Sequence, residues 1–271
     1  MDDRDCVLLL EEALPRLGLR WQGFRKVRSQ VCRRIAARIR ELGLPGAAEY
    51  RVQLENDPGE WSVLDSCCRI TISRFRRDQE VFTTLALAVL PELAANALSR
   101  GDRTVACWSA GCASGEEPFT LTILWHLDLQ QRFPDIRIAV TASDADEAML
   151  ERAREGRYRP SSLRELPASW RTAAFHAVPD GFQLREEYQE AVRFVHHDLR
   201  TAPPAGAFDL VLCRNLAFTY FDDVVQRAVL GSIEGAMVRN GALVIGIHES
   251  LPLGAAGFEP WVKKAGIYRK T

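Results

Sequence analysis

The chain has 271 residues, 47% of them hydrophobic and 26% charged, with 35 basic against 36 acidic side chains and a formal net charge of −1. These proportions describe a globular protein of one large or two small domains. The near-zero balance excludes a global pull toward nucleic acid or an anionic membrane surface. The N-terminal MDDRDCVLLLEEALPRL puts acids before a short apolar run, so neither a signal peptide nor a membrane-inserted segment is expected. Seven cysteines, without a CxxC and without a Cys/His pair at zinc spacing, predict reduced, mostly buried thiols in a cytoplasmic protein. The adjacent pairs Cys67-Cys68 and His196-His197 read as structural, and no metal site is expected.

Residues 1 to about 90 read as a helical N-terminal domain. Leu8-Leu9-Leu10 with Glu11 and Glu12 leads to Gly18; then Phe24, Val27, Val31, Ile35, Ile39 and Leu42 recur at three- and four-residue steps, one face of a helix that Gly43 and Pro45 stop. Between Ala13 and Arg40 there are nine Arg or Lys residues and no Asp or Glu. This basic face, centred on Arg25–Arg40, is either solvated or a docking surface for an acidic helical protein. Further helices are expected over 47–54 and 61–68. The run RITISRFRRDQEVF, 69–82, alternates apolar and hydroxylated residues before Arg74, Arg76 and Arg77, and 82–98 reads as a helix despite Pro91.

From Arg103 onward, strands and helices alternate, which predicts parallel βαβ units: an α/β, Rossmann-like sheet over 91–271 behind the small all-α domain. Strands are expected at 104–109, 137–143, 192–196, 208–213 and 242–247, with helices at 116–132, 145–154 and 222–238. A final antiparallel hairpin is expected at 258–263 and 266–270, with Gly266 near its turn. Residues 157–191, rich in turn signals such as Asp180-Gly181, read as an insertion with its own small structure.

The stretch VACWSAGCASGEEPFTL, 105–121, carries the main chemical signal. An apolar strand breaks into small residues, among them Gly111 and Gly115, before Glu116, Glu117 and Pro118 open a helix. Small residues let backbone approach a ligand closely, so the pattern is a nucleotide-type cradle. It lacks the Lys-Ser/Thr of a P-loop and the full dinucleotide glycine set, and its acids would repel phosphates. S-adenosylmethionine, with an ammonium and a sulfonium, suits it better than a nicotinamide dinucleotide. A plain tight turn with acids in the first helical turn is the alternative.

Other candidates fall at strand ends. Asp144 closes the second strand, placed for ribose hydroxyls, and Asp146 is a helix cap. His197-Asp198-Leu199 follows the third strand, where Asp198 meets an adenine edge or caps. FDLVLCRNLAFTYFDD sets Arg214 and Asn215 at the carboxyl end of the fourth strand, with Tyr220 beyond; Asn215 as a turn residue and Tyr220 as core is the plainer alternative. GIHESL brings His248 and Glu249 to the end of the fifth.

These motifs, in this order, resemble the CheR family of chemotaxis-type protein-glutamate O-methyltransferases: ITISRFRRDQEVF, VACWSAGCASGEEPFTL, TASDADEAMLERAREGRY, FDLVLCRNLAFTYFDD and GALVIGIHESL. The N-terminal GLRWQGFRKVRSQVCRRIAARIRELGL is similar to the family's small helical domain, so the resemblance covers nearly the whole chain. It implies a SAM-methyltransferase sheet, S-adenosylmethionine (SAM) as donor, S-adenosylhomocysteine (SAH) as product and a receptor-like protein carboxylate as acceptor. By position, Thr71 and Ser73 match cofactor-facing residues, and Arg77 the arginine at the methyl-transfer site. Glu117 matches the carboxylate at the methionine end, Asp144 the ribose acid, and Asp198 and Leu199 the adenine pair. Arg214 and Asn215 match a cofactor-lining pair, and Tyr220 the aromatic beside cofactor and substrate; Gly111 belongs to the cradle.

Three features depart from the family: Thr71 in place of Asn, Arg76 in place of a second Phe, and an insertion without the Gly-x-Gly loop that tethers some members to a receptor tail. A different methyl acceptor, or a SAM-binding signalling module without catalysis, are the alternatives these departures raise. In the resembling mechanism, Arg77 orients an already ionised glutamate and Tyr220 walls the methyl site, so no general base is needed.

Overall fold

A computed structural model describes residues 2–271. The chain divides into two compact units, one made of residues up to Ile70 with Leu216–Arg227, the other of Thr71–Asn215 with Ala228–Thr271.

The first unit is helical. Helix α1 (Asp3–Ala13) is capped by Asp2, whose carboxylate accepts the Asp5 N–H. A 3-10 turn, Leu14–Leu17, ends at Gly18 in the left-handed region (φ 68°). Then come α2 (Trp21–Phe24), α3 (Arg28–Glu41), α4 (Ala47–Asn56) and α5 (Glu60–Cys68). The periodic face of α3 buries Val31, Ile35 and Ile39, and the core of this unit adds Leu9, Leu10, Phe24, Tyr50 and Leu64.

Two expectations change here. Not all seven cysteines are thiols: Cys6 of α1 and Cys32 of α3 form a disulfide, while the other five are buried thiols. Helix packing brings Cα atoms 26 positions apart in sequence to 5.8 Å, within bridging range, which spacing along the chain does not reveal. The basic face is also smaller than composition implies. Arg28 pairs with Asp3, Arg34 donates to the carbonyls of Cys67 and Arg69, Arg38 pairs with Glu60, Arg20 donates to the carbonyls of Phe218 and Thr219, and Arg16 stacks on Trp61. Arg25, Lys26, Arg33 and Arg40 stay exposed.

The second unit opens with a helical run: α6 (Gln79–Thr84), a π turn (Leu85–Val89) and α7 (Leu90–Ser99). Pro91 sits in the first turn of α7, just after the π turn, where the ladder is already interrupted. Gln79–Ser99 is long and apolar enough to cross a membrane by length and composition, but half of its most apolar window is buried. Val81, Phe82, Leu85, Val89, Leu90 and Leu93 lie in the core of this unit.

The α/β part follows in the expected order. It runs through β1 (Thr104–Ala110), α8 (Glu116–Leu124, continued by a π turn, Trp125–Leu129), β2 (Arg137–Asp144) and α9 (Glu147–Glu155). The insertion holds β3 (Arg157–Tyr158), α10 (Ala168–Ala174), β4 (Phe175–Val178), β5 (Gly181–Leu184) and α11 (Glu186–Gln189). Its strands form a separate antiparallel sheet in the order β3-β5-β4. Then come β6 (Val192–His196), β7 (Phe208–Cys213), the short α12 (Ala217–Tyr220), α13 (Asp223–Ala236), β8 (Met237–Ile245), β9 (Phe258–Val262) and β10 (Ile267–Lys270).

The main sheet has seven strands in the order β6-β2-β1-β7-β8-β10-β9. The first five are parallel; β10 is antiparallel to both β8 and β9. β7 is buried at every position; its one charged residue, Asp209, pairs with Arg100 and accepts the Ala106 N–H. β8 begins five residues before the expected 242, because Asn240 takes a left-handed turn (φ 62°) and the pairing with β7 shifts between Phe208 and Leu210. Polar Arg239-Asn240-Gly241 therefore reads as a loop in the sequence although the strand runs through it. β2 leaves β1 on one side and β7 pairs on the other, so the carboxyl end of β1 is the switch point at which open α/β sheets bind ligands.

Candidate cofactor and active site

The turn after β1 meets the end of β2. Gly111 (φ 79°) and Ala113 (φ 46°) are both left-handed, and the N–H groups of Gly111 and Cys112 donate to the Ser143 carbonyl at 2.8 and 2.9 Å. Asp144 closes this crossing: its carboxylate accepts the Ala113 N–H at 2.8 Å and the Asp146 N–H at 2.9 Å. The acid is thus oriented at the strand end. Asp146 caps α9 through the Met149 N–H, as expected. Gly115 (φ 88°) starts α8; a Cβ there would press on Ala153, Phe119 and the Tyr158 hydroxyl at 3.0–3.1 Å, so this glycine serves packing.

The two glutamates that open α8 separate in role. Glu116 is 4% exposed and accepts from the Ser114 and Ser73 hydroxyls; burial raises its pKa, and the serine hydrogen bonds oppose that rise. Glu117 accepts from the Ser109 hydroxyl at 2.8 Å and from Arg214 Nη1 at 3.0 Å. Arg214 is nearly enclosed, its side chain 2% exposed, and its Nη2 donates to the Arg77 carbonyl (3.0 Å) and to Asp78 (2.7 Å). Its Nε is buried without a partner, a donor left over beside the acids.

The segment bearing Arg77 is anchored on both sides. Phe75 is fully buried, edge-on to Tyr158 and Phe175, and the Arg76 N–H donates to the Thr120 hydroxyl at 2.9 Å. Arg76 (φ 54°) and Asp78 (φ 60°) are left-handed on either side of Arg77, whose Nη1 reaches the Ile72 carbonyl at 3.1 Å. The Arg76 guanidinium bonds Thr83 and lies 5.5 Å from the Trp170 ring; Arg74 pairs with Glu165. Thr71 is half-buried at the start of this segment.

At the next strand ends, Leu199 is buried and Asp198 forms an ion pair with Arg200, Nη2 to Oδ2 at 2.6 Å. Asn215 (φ 56°) is tied through its backbone: its N–H and that of Gly246 both donate to Glu249 Oε2, at 2.8 and 2.6 Å. A Cβ at Gly246 would sit 2.8 Å from that oxygen, so a larger residue there would push the Glu249 carboxylate out of the bracket that joins the ends of β7 and β8. Tyr220 belongs to the helical unit, where its ring packs 5.0 Å from Phe24.

The sheet unit thus gathers Gly111, Glu117, Asp144, Ser73, Arg77 and Arg214 around the carboxyl ends of β1, β2 and β7. Two contributors were not singled out from the sequence: Ser109 and Asp78. Asp78 carried a readable signal, an acid directly after a run of arginines at a helix start. Among the described residues no group of three or more His, Cys, Asp or Glu is placed to hold a metal ion. Two acids and a glycine turn suit a ligand with a cationic amino-acid end and a diol, and offer no lysine for a triphosphate. SAM has both groups.

Comparison with known proteins agrees. Residues 71–265 match the family described as CheR methyltransferase, SAM binding domain. The chain is 33% identical over 223 residues to a chemotaxis protein methyltransferase of Listeria innocua, covering 82% of each chain. It is 26% identical to one of Borreliella burgdorferi, over 80% of this chain and 78% of that one. A glycopeptide N-methyltransferase solved with SAM bound is a remote neighbour, 16% identical over 57% of this chain and 52% of its own, with a TM-score of 0.34. With the family's domain matched from the Arg77 segment through β9, the chain belongs to the CheR methyltransferase family and is a SAM-dependent methyltransferase.

Proposed function

We propose that the protein methylates glutamate side-chain carboxylates of an acidic, helical, receptor-like protein in the cytoplasm. SAM supplies an electrophilic methyl group, which an acceptor carboxylate oxygen takes as the carbon–sulfur bond breaks and its electron pair stays on sulfur, leaving SAH. Glu117 binds the ammonium of the donor, Asp144 the ribose hydroxyls, and Asp198 with Leu199 the adenine; Gly111 lets the backbone approach. Thr71 and Ser73 line the donor's other side, with Ser73 held by Glu116. Arg214 and Asn215 complete the lining.

Arg77 orients the acceptor carboxylate. No residue has to move a proton, because the acceptor is ionised at neutral pH. The chain's work is orientation and exclusion of water from two opposite charges. The observation that carries this reading is the pair Glu117 and Asp144, the first in the opening turn of α8 and bonded to Ser109 of β1, the second at the end of β2, beside a left-handed glycine turn.

The acceptor is read from charge and from the relatives. Arg25, Lys26, Arg33 and Arg40 are exposed on the helical unit, a local excess of positive charge suited to steering an acidic helix. The matched relatives are named chemotaxis protein methyltransferases. The test is transfer of labelled methyl from SAM to a chemoreceptor cytoplasmic fragment, followed by base hydrolysis. Volatile labelled methanol supports a glutamyl ester; label that stays on the protein, or none transferred, rejects it.

A further inference from the structure

Asp78 has no role assigned so far, yet it occupies a costly position. Its backbone is left-handed at φ 60°, and non-glycine residues hold such conformations only where surroundings impose them. Its carboxylate shares one guanidinium with Glu117: Arg214 Nη2 reaches Asp78 at 2.7 Å and Nη1 reaches Glu117 at 3.0 Å. The same Nη2 donates to the Arg77 carbonyl at 3.0 Å.

The charge count gives this sharing a consequence. A guanidinium remains protonated in proteins, so Glu117 with Arg214 alone would be a neutral pair with nothing to offer a cationic ligand. With Asp78 included, two carboxylates face one guanidinium and the cluster keeps one negative charge. Its Arg214 member is 2% exposed and its acid members 23% and 15%, so water screens that charge only partly.

We propose that Asp78 is a positioning residue for the methyl donor: by drawing off part of Arg214 it leaves Glu117 able to attract the donor's ammonium group, and by fixing Arg214, which donates to the Arg77 carbonyl, it holds the turn that carries Arg77. This rests on Glu117 being the ammonium site.

The test compares two ligands on the full-length protein by calorimetry: SAH, and 5′-methylthioadenosine, which lacks the amino-acid end. Asp78→Asn raises the Kd of SAH about tenfold and leaves that of 5′-methylthioadenosine within about twofold. Glu80→Gln, the same charge change at an exposed neighbour, moves neither. Asp78→Gly relaxes the left-handed backbone while removing the same charge, and reproduces the selective loss should Asp78→Asn fold poorly. Unchanged SAH binding overturns the proposal; so does parallel weakening of both ligands, which is the mark of a staple with no electrostatic part. Glu117→Gln run alongside separates the layers. If it weakens SAH while Asp78→Asn does not, only the role of Asp78 fails; if it leaves SAH binding intact, the ammonium site itself lies elsewhere and the proposal falls with it.

Discussion

Arg38 grips Glu60 with two bonds, Nε to Oε1 at 3.0 Å and Nη2 to Oε2 at 2.7 Å, and the buried Tyr50 hydroxyl donates to the same carboxylate at 2.8 Å. A residue that composition placed on the docking face is therefore a strut between α3 and α5. The hydrogen bond from Arg38, helped by that from Tyr50, holds the Glu60 carboxyl below its ordinary value of 4.5, against the opposing effect of burial.

That pairing sets an acid limit. A depressed carboxyl contributes stability that is complete above its ordinary value and is lost as pH falls through the lowered folded one. Glu60→Gln should therefore be less stable than wild type at pH 7, with the gap closing as pH falls below about 4.5. Glu60→Ala also strands the Tyr50 hydroxyl and should cost about 2 kcal/mol in urea unfolding.

Glu116 gives the opposite sign. Burial raises its pKa, so the ionised form costs stability above the raised folded value, and the cost fades as pH falls toward the ordinary 4.5. Glu116→Gln, which can still accept from Ser73 and Ser114, should match or exceed the wild-type Tm at pH 8 and approach it at pH 5. A Tm well below wild type at pH 8 would show that the charge itself is required.

Charge reversal now discriminates between neighbours on one helix. Arg33→Glu and Arg40→Glu should slow association with an acidic receptor fragment about tenfold at low salt and flatten its salt dependence, with Tm unchanged. Arg34→Glu and Arg38→Glu should lower Tm, since their guanidinium groups hold the Cys67 and Arg69 carbonyls and Glu60. Stopped-flow association and thermal melts read the two effects apart.

In the sheet unit, Arg77→Ala should lower kcat about 100-fold, the scale of lost positioning, while SAH affinity changes by no more than a few-fold. Asp144→Ala should weaken SAH binding at least tenfold by calorimetry, because it removes the acid and frees the Ala113 N–H that shapes the cradle. Normal turnover in the first variant, or normal affinity in the second, would remove that residue from the site.

The Cys6–Cys32 bridge predicts five titratable thiols in denatured, unreduced protein and seven after reduction. Closing a loop of this size stabilises by about 2–4 kcal/mol, so reductant should lower stability by that order. A cytoplasm keeps most such pairs reduced, so seven thiols in protein taken directly from cells would mean that the bridge is open there.

What the sequence by itself determined is the order of elements and the location of the cradle. The strands at 192–196 and 208–213 have the expected bounds, and β1 and β2 run one residue longer than expected. The apolar residues that β1, β2 and β7 place in the sheet, and the small residues of the turn before α8, are local demands that local composition meets. What only the tertiary structure decided is which charges are spent inside. Arg214 finds its acids 97 and 136 positions away, and Arg38 finds Glu60 22 positions away. Cys6 meets Cys32 for the same reason, because α1 and α3 pack together. A side chain's type sets what it can bond, but its partner is chosen by which elements the core brings side by side, and no spacing along the chain encodes that choice.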